Sequence, residues 1–361
     1  GAGAAGAAGA AGAGGPSGEA GATVLPQHKQ QLTLALARTL AETGQLARAR
    51  EVLRALRATP GAAAAEGELA TGVRLLEVEI AAWSVGEARA EQRARIDALR
   101  KQAQALPTPA ERVVALSRAG AVLAHHENLP AEGAKAFLVL ARDALLGMSD
   151  PAARAQASGE FLVALGDTLL QDVRHHLARG EWTRGRAAAA EMTALLKQAT
   201  QPDTVARLMA LDMTARQLTA GQDAGLARLA EASAAVAKDP SLAGQAGQLR
   251  SLAAVPGAAR DPRFAPLVDR VAAMAEGKQG LARGVALTQL ALLWAEQGMD
   301  DRFVDLRRRA LETQGLSPAD RVQIAADLLV LGELAAVRRL HAAQLPAEAE
   351  ARVRKVAGYL M

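Results

Sequence analysis

From about residue 27 onward, apolar positions recur at the i, i+3, i+4, i+7 spacing of amphipathic helices, interrupted by short breaks. Leu36, Ala37 and Leu40 lie before Gly44, and Leu46, Ala49 and Leu53 lie after it. This spacing predicts two antiparallel helices joined by a tight turn at Gly44, the second ended by Pro60. Breaks at Pro107 and Pro109, at Ser149, Asp150 and Pro151, and at Ser317 and Pro318 predict further helix starts. Ser and Asp side chains accept from the free N–H groups of a first turn, and Pro has no N–H to satisfy there.

The pattern returns as Leu290, Ala291, Trp294 and Gly298, and again as Ile324, Ala325, Leu328, Gly332 and Leu334. A weaker copy has Gly180 and Trp182 at its turn and Gly185 at the small position of the second helix. Other turns are expected near Gly86, Asn128, Gly221 and Gly257. Taken in order, the eight turns are spaced by 42, 42, 52, 41, 36, 41 and 34 residues. A large, a small and a bulky residue on a first helix, a turn glycine, and a small residue early in the second helix resemble the tetratricopeptide (TPR) repeat family. Leu36, Ala37, Leu40, Gly44 and Ala49 fill those places. The resemblance implies an all-α, right-handed α-solenoid of about eight TPR-like hairpins over residues 23–361, with helices longer than the family's except near the C-terminus.

In that family the first helices line a concave groove. By resemblance, Gln31, Leu34, Arg38 and Glu42, then Asp167, Leu170 and Arg174, then Val285, Thr288 and Leu292 are the expected partner-binding residues. Their mixture of apolar and charged types suits an amphipathic helix or extended segment of a protein partner. One branch of the family grips acidic C-termini with a clamp of Lys and Asn. The single asparagine here, Asn128, falls at a turn, so that clamp is not expected. The terminal hairpin is expected to leave an apolar edge at Val353, Val356, Tyr359 and Leu360, a cap or a self-association seam.

Composition favours an array over one globule. Half the residues are apolar, yet the aromatics are only Phe 4, Trp 3 and Tyr 1, so burial rests on Ala and Leu, which are strong helix formers. Residues 1–22 are Gly- and Ala-rich, carry almost no charge and have no helical period, and they are expected to form a disordered linker or tether. A GxGxxG match at Gly1, Gly3 and Gly6 lacks the flanking strand and helix of a dinucleotide site. There is no run of apolar residues long enough to span a membrane. Cysteine is absent, which excludes disulfides and thiolate chemistry. A low-complexity stretch at a non-Met start fits a bacterial envelope protein whose N-terminus is removed or lipidated, and a periplasmic or envelope location is favoured over a cytoplasmic one.

The net charge is +4, from 42 basic and 38 acidic residues. The Arg307–Arg309 triplet sits among Asp300, Asp301, Asp305 and Glu312 and reads as a solvated face. Two histidine pairs, His125 with His126 and His175 with His176, cannot each chelate one ion, because adjacent helical residues diverge by about 100°. They read as helix-end residues interacting with the dipole. His126 and Glu127 begin like a zinc-protease motif, but HENLP lacks the second histidine. No nucleophile elbow or phosphate loop is present, Gly277 and Lys278 being followed by Gln279. Trp83, Trp182, Trp294 and Phe303 are expected in cores. No cofactor or metal is expected. The reading is a non-enzymatic scaffold or adaptor for protein partners. The alternatives are a regulatory or nucleic-acid binder using the arginine surplus, supported if arginines gather on the concave face and weakened if they pair with acids, and the helical region of an envelope enzyme or polysaccharide-export machine.

Overall fold

A computed structural model of the chain describes residues 17–59, 67–87, 89–126 and 131–360, without the side chains of 17–25, 89, 131 and 132. The first sixteen residues of the expected linker lie outside the described residues, and its last six are helical. The helices succeed one another as α1 (Ser17–Glu42), α2 (Leu46–Arg57), α3 (Glu68–Ser84), α4 (Gln92–Gln104), α5 (Pro109–Ala124) and α6 (Ala131–Leu146). They continue as α7 (Pro151–Ala178), α8 (Trp182–Leu196), α9 (Pro202–Ala220), α10 (Gln222–Leu226), α11 (Leu229–Val236) and α12 (Leu242–Ala253). The last are α13 (Ala265–Glu276), α14 (Gly280–Gln297), α15 (Asp300–Leu311), α16 (Pro318–Ala342) and α17 (Pro346–Leu360). There is no strand among the described residues.

Helix starts follow the capping chemistry. Thr108 Oγ1 accepts from the Glu111 N–H at 3.1 Å, and Asp150 from the Ala152 N–H at 2.9 Å. Ser317 and Asp320 form a reciprocal capping box. Pro109, Pro151 and Pro318 each follow their cap at the first helical position.

Four hairpins share one turn. At Gly44, Gly180 and Gly298 the backbone takes a left-handed conformation (φ +76°, +73° and +71°), and the next N–H reaches back to the carbonyl five residues earlier. These bonds run from Gln45 to Leu40, Glu181 to His176 and Met299 to Trp294, at 2.8, 2.8 and 3.0 Å. The fourth turn corrects the expected one at Gly332. Helix α16 runs straight through Gly332, and the chain reverses at Gln344 (φ 59°), where Leu345 N–H bonds Leu340 O at 2.9 Å. Gly332 serves close approach instead: a Cβ there would lie 3.2 Å from Cζ of Phe303 on α15. The 34-residue interval from Gly298 to Gly332 is therefore no structural repeat. Asn128 lies outside the described residues.

Helices α1, α3, α5, α7, α9, α12, α14 and α16 each pack on their neighbours in that order and form an inner layer. Each is followed by its outer partner, which also packs on the next inner helix: α2 on α3, α4 on α5, α6 on α7, α8 on α9, α11 on α12, α13 on α14 and α15 on α16. The series does not stop at α16. Helix α16 packs on α1, and α17 packs on α1 as α2 packs on α3. The hairpins thus close into a ring, which corrects the expectation of an elongated array with a free terminal edge. Val353 and Val356 are buried with Leu32, Leu36, Leu40, Val330, Leu334 and Val337 in one core across the seam. Only Tyr359 of the proposed edge is well exposed.

Polar pairs reinforce the seam. Arg338 Nε donates to Glu42 at 2.7 Å, Arg48 pairs with Glu350, and His28 Nε2 lies 3.1 Å from Asp327. His28 is buried, and its hydrogen bond and charge pairing with Asp327 hold it above its ordinary value against the opposing effect of burial.

Two outcomes are expected. Gln344→Gly relieves a left-handed backbone that side chains disfavour and raises unfolding stability in urea by about 1 kcal/mol. A raised histidine contributes stability that is full below its unfolded pKa and is lost as pH climbs through its folded pKa. Asp327→Asn therefore costs about 1–3 kcal/mol near about pH 5.5 and much less near about pH 8.5, read from urea midpoints at the two values.

Candidate functional site

The inner faces of α1, α3, α5, α7 and α9 line a cavity of about 330 Å³. One charged residue on each helix builds a ladder across it, roughly forty residues apart in sequence and alternating in sign. Arg38 lies 3.6 Å from Glu79, Arg118 donates to Glu79 at 2.8 Å and to Glu160 at 3.1 Å, and Arg207 donates to Glu160 at 2.8 Å. Between α12 and α14, Arg250 is likewise bonded to Gln289 and Glu296.

Arg118 and Glu160 sustain each other's charge. Burial alone would push the Arg118 guanidinium down, but Glu79 and Glu160 raise it above its ordinary value. Burial likewise pushes Glu160 up, and Arg207 and Arg118 together bring it below the usual carboxylate range. Removing one rung leaves its partners desolvated and unpaired, so the ladder fixes which inner faces meet.

Above the ladder lies a second group. Asp167 on α7 lines the same cavity without an ion pair among the described residues, and burial lifts its carboxyl to about 6 against the pull of Arg207 and Arg174. Facing it are Trp83 at the end of α3 and His125 after α5, with ring centroids 5.8 Å apart. His126 meets the indole edge-on at 5.9 Å, and its Nε2 lies 3.2 Å from the carbonyl of Ala82. Enclosure by the surrounding helices, then Arg174 and His126, hold His125 below its ordinary value, which leaves a neutral ring at neutral pH. Its Nε2 sits 3.4 Å from Gln171 Nε2, so it accepts there.

The expected groove residues divide. Arg38, Glu42 and Asp167 line this cavity, and Arg174 lies close enough to act on both Asp167 and His125. Gln31 is exposed, while Leu34 is half-buried and meets α3 at Gly72. Leu170, Thr288 and Leu292 are buried, Thr288 donating to Gly284 O at 2.8 Å, which corrects their assignment to an open face. Val285 is half-buried, on a different helix from the cavity. Trp294 is buried and Phe303 half-buried, but Trp182 is 54% exposed and not a core residue.

The ladder glutamates, Arg118, Arg207, Trp83 and His125 were not among the expected groove residues. Their signal is a charged residue of alternating sign at the same place on successive first helices. His176 pairs with Glu181 at 2.7 Å, and no group of three or more His, Cys, Asp or Glu side chains among the described residues could hold a metal ion. Glu127 lies outside the described residues. Arg308 and Arg309 pair with Asp305, Glu312 and Glu276 on the outer layer. Among the described residues no helix is long and apolar enough to cross a membrane. Compared with protein-family models, curated proteins and solved structures, the chain has no match in any of the three.

Because its folded pKa of about 6 lies above the unfolded value, Asp167 loses stability as pH rises from about 4 to about 6 and stays costly above that. Asp167→Asn should therefore raise stability by about 1–2 kcal/mol near about pH 8 and leave it unchanged near about pH 4, measured by urea unfolding. A loss near about pH 8 would mean that the carboxylate is well paired.

Proposed function

We propose that this chain is a non-enzymatic, TPR-like helical-repeat scaffold that holds an extended segment of a protein partner against the inner face of its ring. The observation that carries the reading is the split in charge within one cavity. The ladder residues pair with one another, whereas Asp167, His125 and Trp83 in the same cavity, with Arg174 close by, keep polar and aromatic capacity for a ligand. A carboxylate and a guanidinium two turns apart on α7 suit the donors and acceptors of a peptide, and the indole supplies an apolar anchor.

A paired-carboxylate site built on the ladder is disfavoured, because Glu79 and Glu160 already accept from guanidiniums. The nucleic-acid alternative is weakened on similar grounds. Arg38, Arg118 and Arg207 line the cavity, but each faces a glutamate that competes with a phosphate for its guanidinium.

Selection of a random peptide library displayed on phage against the intact chain, counter-selected on the Trp83→Ala, Asp167→Lys double variant, tests the proposal. Peptides that bind the parent and lose at least about tenfold in affinity for the variant are expected. Failure to enrich any peptide, or enrichment of peptides that bind both chains equally, would overturn it. Circular dichroism on the variant checks that the ring is intact.

A further inference from the structure

A second groove lies on the outside of the ring, and nothing in the inner-face reading uses it. Helices α2 and α4 both pack on α3 and leave between them a cavity of about 750 Å³. One wall is a stripe of arginines on α2. Arg50, Arg54 and Arg57 follow one another at i, i+4 and i+7 and so run about 10 Å along one helical face. Arg95 on α4 faces them. The floor is apolar, from half-buried Ala81 over the buried Leu53, Ile80 and Leu99.

Unlike the inner ladder, this stripe leaves one guanidinium without an ion pair among the described residues. Four guanidiniums line the groove against two carboxylates, Glu77 and Glu87. Arg57 donates to Glu77 at 2.8 Å, Arg50 donates to Ser84 Oγ and shares Glu87 with Arg95 at 4.0 and 3.7 Å, and Arg95 also pairs with Glu91 at 3.3 Å and donates to Ser84 O at 2.8 Å. Arg54 has no ion pair with any described residue, and it stands exposed in the middle of the stripe. We infer that this groove is a docking surface for an acidic amphipathic α-helix of a partner protein, its carboxylates at i, i+4 and i+7 meeting Arg50, Arg54 and Arg57 and its apolar face resting on the floor. A nucleic acid fits less well, because among the described residues no aromatic side chain lines the groove for base stacking, and phosphates gain nothing from an apolar floor.

The probe is a fluorescein-labelled helical peptide with glutamates at i, i+4 and i+7 flanked by leucines, titrated into the intact chain by fluorescence anisotropy. Saturable binding that weakens about tenfold on Arg54→Glu and is lost when the glutamates become lysines is the expected result. Arg54 touches no acid among the described residues, so this variant keeps the parent's helicity, which circular dichroism verifies. Arg54→Lys retains most of the binding, and the Trp83→Ala, Asp167→Lys variant binds the probe as the parent does. Absence of saturable binding, binding indifferent to Arg54→Glu, or tighter binding of a single-stranded oligonucleotide or inorganic tripolyphosphate in the same groove would overturn the inference.

Discussion

The packing of α16 on α1 governs the rest of the structure. A hairpin at the end of an open array has one apolar face with no neighbour, and hairpins this poor in aromatics gain little from each contact. Closing the series removes both ends at once. Leu32, Leu36 and Leu40 from the first hairpin and Val353 and Val356 from the last bury one another, and the charge pairs Glu42–Arg338 and Arg48–Glu350 set their register. The stability of a chain built largely from Ala and Leu therefore depends on a contact between residues some three hundred positions apart, the kind that closes late in folding.

Closure also explains the chemistry of the inner face. Curving a layer of helices inward brings their inner side chains close together, and charged residues there lose water they would keep on a flat surface. Alternation of sign on successive helices answers that cost. Glu79 and Glu160 each bridge two arginines from different helices, so every rung ties its neighbours. Asp167 breaks the alternation: it sits on the same helix as Glu160, has no rung of its own, and carries a carboxyl lifted to about 6. A group that destabilises the fold while lining a cavity beside an aromatic ring is a reasonable place to look for function.

The helices were legible in the sequence because local rules produce them. Proline after Thr108, Asp150 and Ser317 marked three starts, and Gly44, Gly180 and Gly298 marked three turns, each through chemistry confined to a few residues. The fourth turn was missed for a physical reason. Gln344 holds the left-handed position that glycine usually fills, whereas Gly332 looked like a turn and is small only because the Phe303 ring passes over it. Ring closure was not legible at all. Nothing local distinguishes Val353 on a free edge from Val353 beneath α1, since the difference lies in curvature summed over every hairpin. Leu170, Thr288 and Leu292 were misplaced in the same way, through a groove register carried over from a family whose arrays stay open.

The two surfaces differ in how they treat arginine, and this separates structural from available charge. On the inner face Arg118 meets two glutamates within 3.1 Å, a geometry in which binding any new anion would first require breaking pairs that are partly desolvated. On the outer groove Arg50 and Arg95 share Glu87 at 4.0 and 3.7 Å and Arg95 also meets Glu91 at 3.3 Å, whereas Arg54 has no carboxylate partner among the described residues. Arg54 is exposed to water, so exchanging that water for a partner's carboxylate costs little structure. The overall charge of +4 hides this contrast, because a nearly balanced total says nothing about which arginines are already spoken for. What matters for recognition is the local imbalance along one face of α2, where Arg54 stands exposed between Arg50 and Arg57 with no acidic partner among the described residues.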